Sequence, residues 1–219
     1  MPWCKELEGG IMIEEILKNM KWLGHSGFLI QAAGKALYID PYKIPQGLPQ
    51  ADIILISHEH YDHCSIEDIN KLKKNETIYI TEKKAAKEVR GRVTVLQPGE
   101  QTEIDGISVT AVPAYNTNKK FHPRQNGWLG FVVTVEGVRI YHAGDTDHIP
   151  EMKDIDTDIA LLPVSGTYVM TALEAAQAAL DINPVVAVPM HCGSLVGTMD
   201  DAKTFADALK GKIRVEILS

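Results

Sequence analysis

Three histidines and an aspartate stand within six residues, directly after a short apolar run. The run is Ile53–Ile56, and the polar residues are His58, His60, Asp62 and His63. Imidazole nitrogens and carboxylate oxygens are good ligands for zinc, iron and manganese. Alternate residues of an extended segment point to one side, so His58 and His60 can reach one ion while a turn carries the other two toward a second. A solvated polar loop is the alternative, but so dense a histidine cluster after a buried strand favours metal binding.

Two further candidate ligands follow apolar runs elsewhere in the chain. Asp145 comes shortly after residues 138–141, and His191 shortly after residues 185–188. Sites in layered α/β folds gather beyond the carboxyl ends of strands. Taken singly, a turn aspartate and a buried structural histidine are the simpler interpretations. The joint placement of the two residues after apolar strands favours both as metal ligands.

The elements that must position these residues alternate between strands and helices. Apolar runs and turn signals predict strands over residues 21–23, 27–31, 35–39, 53–56, 77–81, 93–96, 101–104, 107–112, 129–135, 138–142, 159–163, 185–188 and 213–218. Amphipathic spacing and capping signals predict helices over residues 11–18, 66–73, 83–90, 172–180 and 200–209. This alternation predicts a layered α/β fold.

The composition is that of an ordinary globular protein. The chain has 219 residues, of which 45% are hydrophobic and 23% charged, enough to bury a substantial core. We expect residues 1–19 to form an extension, broken at Gly9-Gly10, and residues 20–219 to form one domain. The net charge of −7 argues against non-specific nucleic-acid binding.

The cysteines and the N-terminal segment bear on location and partners. Cys4, Cys64 and Cys192 form no close pair, so we expect no disulfide framework and a reducing cytoplasm. No long apolar run predicts a signal peptide or a membrane span, and no basic amphipathic stretch points to a membrane surface. We expect a small-molecule substrate, no nucleic acid and no membrane as partners; a homo-oligomer stays open.

The segment SHEHYDH resembles the HxHxDH signature of the metallo-β-lactamase superfamily. The order of the other motifs agrees with that family: IDP around Asp40, then the signature, AGDTD around Asp145 and PMHC around His191. The resemblance covers nearly the whole chain from Met20. Together with GHSGFLI and LLPVSGTYVMT, these motifs are similar to the branch of metal-dependent hydrolases related to L-ascorbate-6-phosphate lactonase.

The resemblance implies a fold, a cofactor and a set of ligands. The fold would be a four-layer αβ/βα sandwich, with two mixed β-sheets face to face and helices on the outer faces. The cofactor would be two divalent metal ions, zinc ahead of manganese or iron. The ligands would be His58 and His60 on the first ion, Asp62, His63 and His191 on the second and Asp145 on both, with Asp40 supporting them by hydrogen bonds.

One position departs from the family pattern. The first ion usually has a third histidine at the end of the middle hairpin, where this chain has Asn116. A neutral amide is a poorer zinc ligand than imidazole. We predict that the loop folds back so that His122, six residues later, takes the vacant place. The alternative is a surface His122 and a first ion that is weakly bound or absent.

Five other residues are candidates for contact with a substrate or for a merely structural role. Lys119, Lys120 and Arg124 bring positive charge to the loop of His122, where they would meet an anionic substrate or form a solvated loop. His25 lies in a glycine-rich turn that either lines the site or is only structural. Tyr168 follows the strand predicted at residues 159–163, within reach of a substrate.

The resemblance implies metal-dependent hydrolysis. Two ions lower the pKa of a bound water, and the metal-bound hydroxide would attack an ester, lactone or phosphodiester of a small, anionic metabolite. Asp62 would be the catalytic residue that orients this hydroxide or takes its proton. Two alternatives remain: a metal-binding or sensing protein without turnover, which Asn116 favours, and a nuclease-type phosphodiesterase.

Overall fold

The computed structural model describes the backbone of residues 2–218 and the side chains of residues 9–218. Within that range the strands are β1 (Met20–Gly24), β2 (Gly27–Ala32), β3 (Lys35–Ile39), β4 (Ile53–Ile56), β5 (Ile78–Thr81), β6 (Arg92–Val95), β7 (Gln101–Ile104), β8 (Ile107–Pro113), β9 (Leu129–Val135), β10 (Val138–His142), β11 (Ile159–Pro163), β12 (Val186–Met190) and β13 (Arg214–Val215). The helices are α1 (Pro2–Lys18), α2 (Ile66–Leu72), α3 (Ala172–Ile182) and α4 (Met199–Leu209). None of these helices has the length and apolar character needed to cross a membrane.

The strands form two mixed sheets, each of which begins antiparallel and becomes parallel. The first sheet has the order β1-β2-β3-β4-β5-β6, and its pairing is parallel from β3 onward. The second has the order β13-β12-β11-β10-β9-β8-β7, and its pairing is parallel between β10 and β13. Helix α2 packs on the first sheet, and α3 and α4 pack on the second. The layered sandwich of two mixed sheets is therefore confirmed.

Local sequence accounts for the hairpins that begin the second sheet. Asp105 and Gly106 have φ angles of 51° and 82°, and Glu136 and Gly137 have φ angles of 51° and 79°. Paired left-handed residues are typical of two-residue turns whose twist matches that of the flanking strands. Both predicted hairpins, β7–β8 and β9–β10, are confirmed.

The segment before the histidine cluster is buried on both faces. Ile53 and Leu55 join the core between the sheets, while Ile54 and Ile56 join a second core under α2. Alternate residues of a strand face opposite sides, so one short strand contributes to both cores. Burial of each such side chain contributes about 1.5–3 kcal/mol. The start of the following loop is therefore held rigidly.

Three predicted elements differ in the structure. Helix α1 runs through Gly9-Gly10 without a break, because Ile13, Ile16 and Leu17 pack into the main core and offset a glycine cost of about 1 kcal/mol each. It contacts β1, β2 and β10 and so shares the core of both sheets.

The helix predicted at 83–90 is reduced to a single 3-10 turn, Ala85–Lys87. The side chain of Glu82 accepts hydrogen bonds from the N–H groups of Lys84 and Ala85, and these bonds begin a turn that does not propagate. The strand predicted at 213–218 is reduced to Arg214–Val215, the two residues that pair with β12.

Candidate metal centre

Strand ends bring the predicted ligands to one edge of the sandwich. Asp40 follows β3, His58 lies two residues beyond β4, Asp145 follows β10 and His191 directly follows β12. Because parallel strands end at the same edge of a sheet, short loops are enough to gather these side chains. The two sheets meet at this point, since Nε2 of His63, after β4 of the first sheet, lies 3.3 Å from Oδ1 of Asp145, after β10 of the second.

The first group of donor atoms consists of His58, His60 and His122. Their ring nitrogens lie within 4.8 Å of one another. The closest pair is Nε2 of His58 and Nδ1 of His60, at 2.9 Å. The ring of Trp128 packs against all three, with centroid separations of 4.6, 4.7 and 5.2 Å. The structure thus brings His122 to the two histidines that it is predicted to complete.

The loop that carries His122 is closed by Asn116. The N–H of Asn116 donates to the carbonyl of His122 at 2.7 Å, and the N–H of His122 donates to Oδ1 of Asn116 at 2.9 Å. Asp147 anchors the same loop by accepting from the N–H of Thr117 at 2.8 Å and from Nζ of Lys119 at 2.6 Å. Asn116 therefore supports the loop, and the imidazole of His122 faces the first group.

The second group consists of His25, Asp62, His63 and His191. One donor atom from each residue lies within 4.8 Å of the others. Oδ2 of Asp62 is 3.8 Å from Nε2 of His63 and 3.0 Å from Nε2 of His25. His25 was expected to line the site or to be structural, and it is buried in this group.

Asp145 lies between the two groups and turns one oxygen toward each. Its Oδ2 is 3.3 Å from Nε2 of His122, and its Oδ1 is 3.3 Å from Nε2 of both His63 and His191. His58, His63 and Asp145 also form a third set of close donor atoms that joins the groups. A carboxylate in this position can bridge two cations.

Four of the histidines direct Nε2 inward because Nδ1 has a partner outside the cluster. The pairs are His58 with Oγ of Ser57 at 2.9 Å, His63 with Oδ2 of Asp40 at 2.7 Å, His122 with the carbonyl of Tyr168 at 3.1 Å and His191 with Oγ of Ser165 at 3.0 Å. Asp40 also accepts from the N–H and the hydroxyl of Ser57, at 2.7 and 2.6 Å. Such outer contacts fix the tautomer and orientation of metal-binding histidines.

Four of the nine non-glycine residues with positive φ in the described range lie at this edge. His25, Asp40, Tyr168 and His191 all have positive φ, at 50°, 44°, 68° and 58°. Non-glycine residues adopt this conformation at a cost and hold it only where the surroundings enforce it. Gly144, with φ of 64°, precedes Asp145, and a Cβ atom there would lie 2.6 Å from the carbonyl oxygen of Leu129. The turn that presents Asp145 thus requires glycine.

The electrostatics favour neutral His58 and His122 and an ionised Asp145. Burial and the nearby His63 hold the pKa of His58 well below its ordinary value, and burial also lowers the pKa of His122. Burial opposes ionisation of Asp145, but His191 and His63 outweigh it and hold the pKa of that carboxyl well below its usual range. Burial lowers the pKa of His63, yet Asp145 and Asp40 raise it well above its ordinary value. Neutral imidazole and carboxylate are the forms that bind metal.

The donor atoms fit divalent cations. Within residues 9–218, Nε2 of His63 and Oδ1 of Asp145 are buried and make no hydrogen bond, although they lie 3.3 Å apart. Buried polar atoms without a partner are rare in folded proteins, and a cation between them would satisfy both. Nitrogen and carboxylate donors in these two groups suit zinc, manganese or iron.

The residues predicted to contact substrate differ in exposure and in ion pairing on the solvent-facing side of the cluster. His60 is exposed and the side chain of Asp62 is 18% exposed, so the cluster opens to solvent here. Arg124 pairs with Glu151 at 2.7 Å, whereas Lys120 is exposed and makes no ion pair with any residue of the described side-chain range. The exposed ring of Tyr168 packs edge-on against Phe121, with centroids 4.6 Å apart.

His142, His148, Cys64 and Cys192 stay outside the two groups. Nε2 of His142 contacts the carbonyl of Ser26, and His148 pairs with Asp181. Burial raises the pKa of Cys64 to about 12 and that of Cys192 to about 11. Both thiols are therefore protonated and pack in the cores.

Sequence reasoning missed several supporting groups. Ser57 directly precedes His58, and this adjacency was an available signal. Ser165 contacts His191 across 26 positions, and the backbone carbonyl of Tyr168 contacts His122 across 46. Only the folded chain brings such distant residues together.

Comparisons with known proteins agree with this geometry. A family model described as a beta-lactamase superfamily domain matches residues 19–191. A metal-dependent hydrolase of Pyrococcus abyssi is 31% identical in an alignment of 216 positions that covers 91% of this chain and 96% of that protein. A structure from Parabacteroides distasonis, assigned as a metal-dependent hydrolase, is 36% identical with a TM-score of 0.83, covering 91% of this chain and 93% of the other. A metallo hydrolase of Ignicoccus hospitalis, 23% identical, has the same fold with a TM-score of 0.74 over 91% and 94% of the two chains.

Proposed function

Because this chain belongs to the metallo-β-lactamase superfamily and is a metal-dependent hydrolase, we propose that it holds two divalent metal ions, one on either side of Asp145. The observation that carries the proposal is the position of the Asp145 carboxylate. Its Oδ2 faces His122 of the first group, and its Oδ1 faces His63 and His191 of the second.

The two groups differ in the cations that they suit. His58, His60 and His122 would hold the first ion, and three histidines are typical of zinc sites. Asp62, His63 and His191 would hold the second, where the added carboxylate also suits manganese or iron. We therefore propose zinc as the first choice, with manganese and iron as alternatives.

The reaction we propose is hydrolysis of an ester, a lactone or a phosphodiester. When bound, the ions would lower the pKa of a water molecule and polarise a carbonyl or phosphoryl oxygen. Asp62 is the partly exposed carboxylate of the second group, so it is the residue that would orient this water or take its proton. Its Oδ2 lies 3.0 Å from Nε2 of His25.

The substrate we propose is a small anionic metabolite. Lys119 is engaged by Asp147 and Arg124 by Glu151, so Lys120 is the cation of this segment left to meet an anion. The exposed rings of Phe121 and Tyr168 beside His122 offer an apolar surface to the rest of the substrate. A phosphorylated lactone agrees with the motif similarity to the lactonase branch.

We propose a cytoplasmic location, because Cys64 and Cys192 are free, buried thiols of the kind kept in reducing compartments. The net charge of −7 supports a small-molecule substrate ahead of a nucleic acid or an anionic membrane surface. A homo-oligomer is compatible with these features. The non-catalytic alternative rested on Asn116, and the contacts of Asn116 with His122 remove that support.

Metal analysis and a substrate panel test the proposal. We expect two ions per chain, and loss of hydrolysis of ester, lactone and phosphodiester substrates after chelation, with recovery on adding zinc, manganese or iron. His60→Ala and Asp62→Ala should each lower turnover by about 10²- to 10³-fold, the loss typical for one group that stabilises a transition state. Full activity in metal-free protein would refute the proposed function.

A further inference from the structure

We propose that His25 is a positioning residue: it donates a hydrogen bond from Nε2 to Asp62 and so orients that carboxylate, without being a metal ligand itself. The proposal rests on the two-ion function proposed above. It concerns a residue that lies outside the HxHxDH segment and whose ring nitrogen nevertheless lies among the donor atoms of the second group.

The contact between His25 and Asp62 is close and shielded from water. Nε2 of His25 lies 3.0 Å from Oδ2 of Asp62, and the side chain of His25 is only 2% exposed. Asp62 is more open, at 18%. Asp62 has the most solvent-exposed carboxylate of the cluster. Packing therefore restricts its orientation least, and a hydrogen bond from His25 fixes one orientation.

The position of His25 is set by protein contacts alone. It lies in the tight turn between β1 and β2 with φ of 50°. Its carbonyl accepts from the N–H of His191 at 2.8 Å and from Nε1 of Trp22 at 2.9 Å. Its ring packs on that of His191, with centroids 4.0 Å apart. These contacts with the rest of the protein hold the imidazole in place.

The second ring nitrogen of His25, Nδ1, indicates whether His25 is a hydrogen-bond donor to Asp62 or a metal ligand. If Nε2 bound a cation, the proton of the neutral ring would sit on Nδ1, which is buried and has no hydrogen-bond partner in the described range. Buried N–H groups without a partner are rarer than unpaired acceptors. If Nε2 instead carries the proton and donates it to Asp62, Nδ1 is an unpaired acceptor, the less costly arrangement.

The four buried histidines proposed as ligands show the opposite pattern. His58, His63, His122 and His191 each direct Nε2 inward while Nδ1 contacts Ser57, Asp40, Tyr168 or Ser165. Metal-binding histidines nearly always have such a partner on the second nitrogen. The buried Nδ1 of His25 lacks one, and this difference separates it from the four buried ligands; His60, the fifth histidine ligand, is exposed to solvent.

Two substitutions at His25 separate a donor from a ligand. The amide nitrogen of glutamine can replace Nε2 as a donor, but the side chain is a poor metal ligand; leucine has a similar volume and neither property. We expect His25→Leu to weaken binding of the second ion by about 10- to 100-fold, the loss typical of removing an outer contact. His25→Gln should bind it as the wild type does, and the first ion should be unaffected in both.

The measurement is a titration with zinc, and separately manganese, against a competing chelator, together with the number of ions bound per chain. His148→Leu is the matched control, since it removes another histidine–aspartate contact of 3.0 Å outside both groups. It should leave both affinities unchanged. Thermal unfolding of each metal-free variant reports whether it has folded.

A double substitution provides the second test. If His25 acts through Asp62, His25→Leu should cause no further loss of affinity in the Asp62→Ala background. A further loss there, or an equal loss in His25→Gln and His25→Leu alone, would make His25 a ligand and overturn the proposal. Unchanged affinity in His25→Leu would also overturn it. If the wild-type protein binds fewer than two ions, it is the proposed function that fails, and this inference fails with it.

Discussion

Asn116 holds His122 by two hydrogen bonds, one from its backbone and one to its side chain. The Asn116 N–H donates to the carbonyl of His122 at 2.7 Å, and Oδ1 of Asn116 accepts from the N–H of His122 at 2.9 Å. Nδ2 of Asn116 donates in addition to the carbonyl of Tyr168 at 2.8 Å, the same carbonyl that contacts Nδ1 of His122. The asparagine therefore supports both the backbone and, through Tyr168, the ring of the predicted ligand.

Replacing Asn116 should weaken binding of the first ion and leave binding of the second ion unchanged. Asn116→Ala removes the side-chain contacts with His122 and Tyr168, so the imidazole becomes less well oriented. We expect the affinity of the first ion to fall by about 10- to 100-fold, as for other outer contacts of metal ligands. A chelator-competition titration measures this. Asn126→Ala, at a half-buried position outside the cluster, is the control and should bind both ions as the wild type does. Equal affinity in both variants would contradict the role of Asn116.

Gly144→Ala should disturb both stability and metal binding. The new Cβ atom would lie 2.6 Å from the carbonyl oxygen of Leu129, and φ is 64°, so the turn before Asp145 must move. Gly106→Ala is the matched control, since its φ is 82° but nothing lies within 4 Å of the new atom.

We expect Gly106→Ala to cost about 1–2 kcal/mol from the left-handed backbone alone, with normal metal binding. Gly144→Ala should lower the free energy of unfolding further and should bind both proposed ions more weakly, because Asp145 faces both groups. Urea unfolding and metal titration measure the two effects, and similar results for both variants would show that the close approach is unimportant.

Asp40→Ala should destabilise even the metal-free protein. The carboxylate accepts from the N–H and hydroxyl of Ser57 and contacts Nδ1 of His63, and both Asp40 and His63 are fully buried. Loss of one partner from a buried charged pair costs about 3–5 kcal/mol. Urea unfolding in the presence of a chelator measures this cost. Lys203→Ala, which removes an exposed ion pair with Asp200, should cost less than about 1 kcal/mol.

Added metal should raise the melting temperature through Asp145. A ligand that binds only the folded state at 100 times its dissociation constant adds about 2.7 kcal/mol to the free energy of unfolding. We expect zinc to raise the melting temperature of the wild type and a chelator to reverse the change. Asp145→Asn, which has one oxygen in place of two, should show a much smaller rise. An equal rise in the variant would indicate that zinc binds elsewhere.

Ligands that are close in sequence were predictable, because their order in the chain already limits their separation in space. His58, His60, Asp62 and His63 follow a strand that is apolar on both faces, and this pattern alone indicated a site at a strand end. The hairpin at Asp105-Gly106 was equally predictable from the sequence, since its two left-handed residues depend on the local residue types.

Secondary-structure elements that depend on long-range contacts could not be predicted from the sequence. The predicted break at Gly9-Gly10 is absent because packing of α1 on both sheets outweighs the weak helix propensity of glycine. The helix predicted at residues 83–90 is lost because the side chain of Glu82 takes the first N–H groups of the turn.

The sequence by itself determined the alternation of strands and helices and the residue types of the cluster, because apolar periodicity and ligand chemistry are local properties. The family and the sandwich were predicted from the resemblance of its motifs to the metallo-β-lactamase superfamily. The tertiary structure decided how the cluster is completed and oriented. His122 reaches the first group only through the contacts of its loop with Asn116, Asp147 and Tyr168. His25 reaches Asp62 from 37 positions away. Hydrogen bonds between distant segments form only when the two sheets pack, and no local pattern in the chain records them.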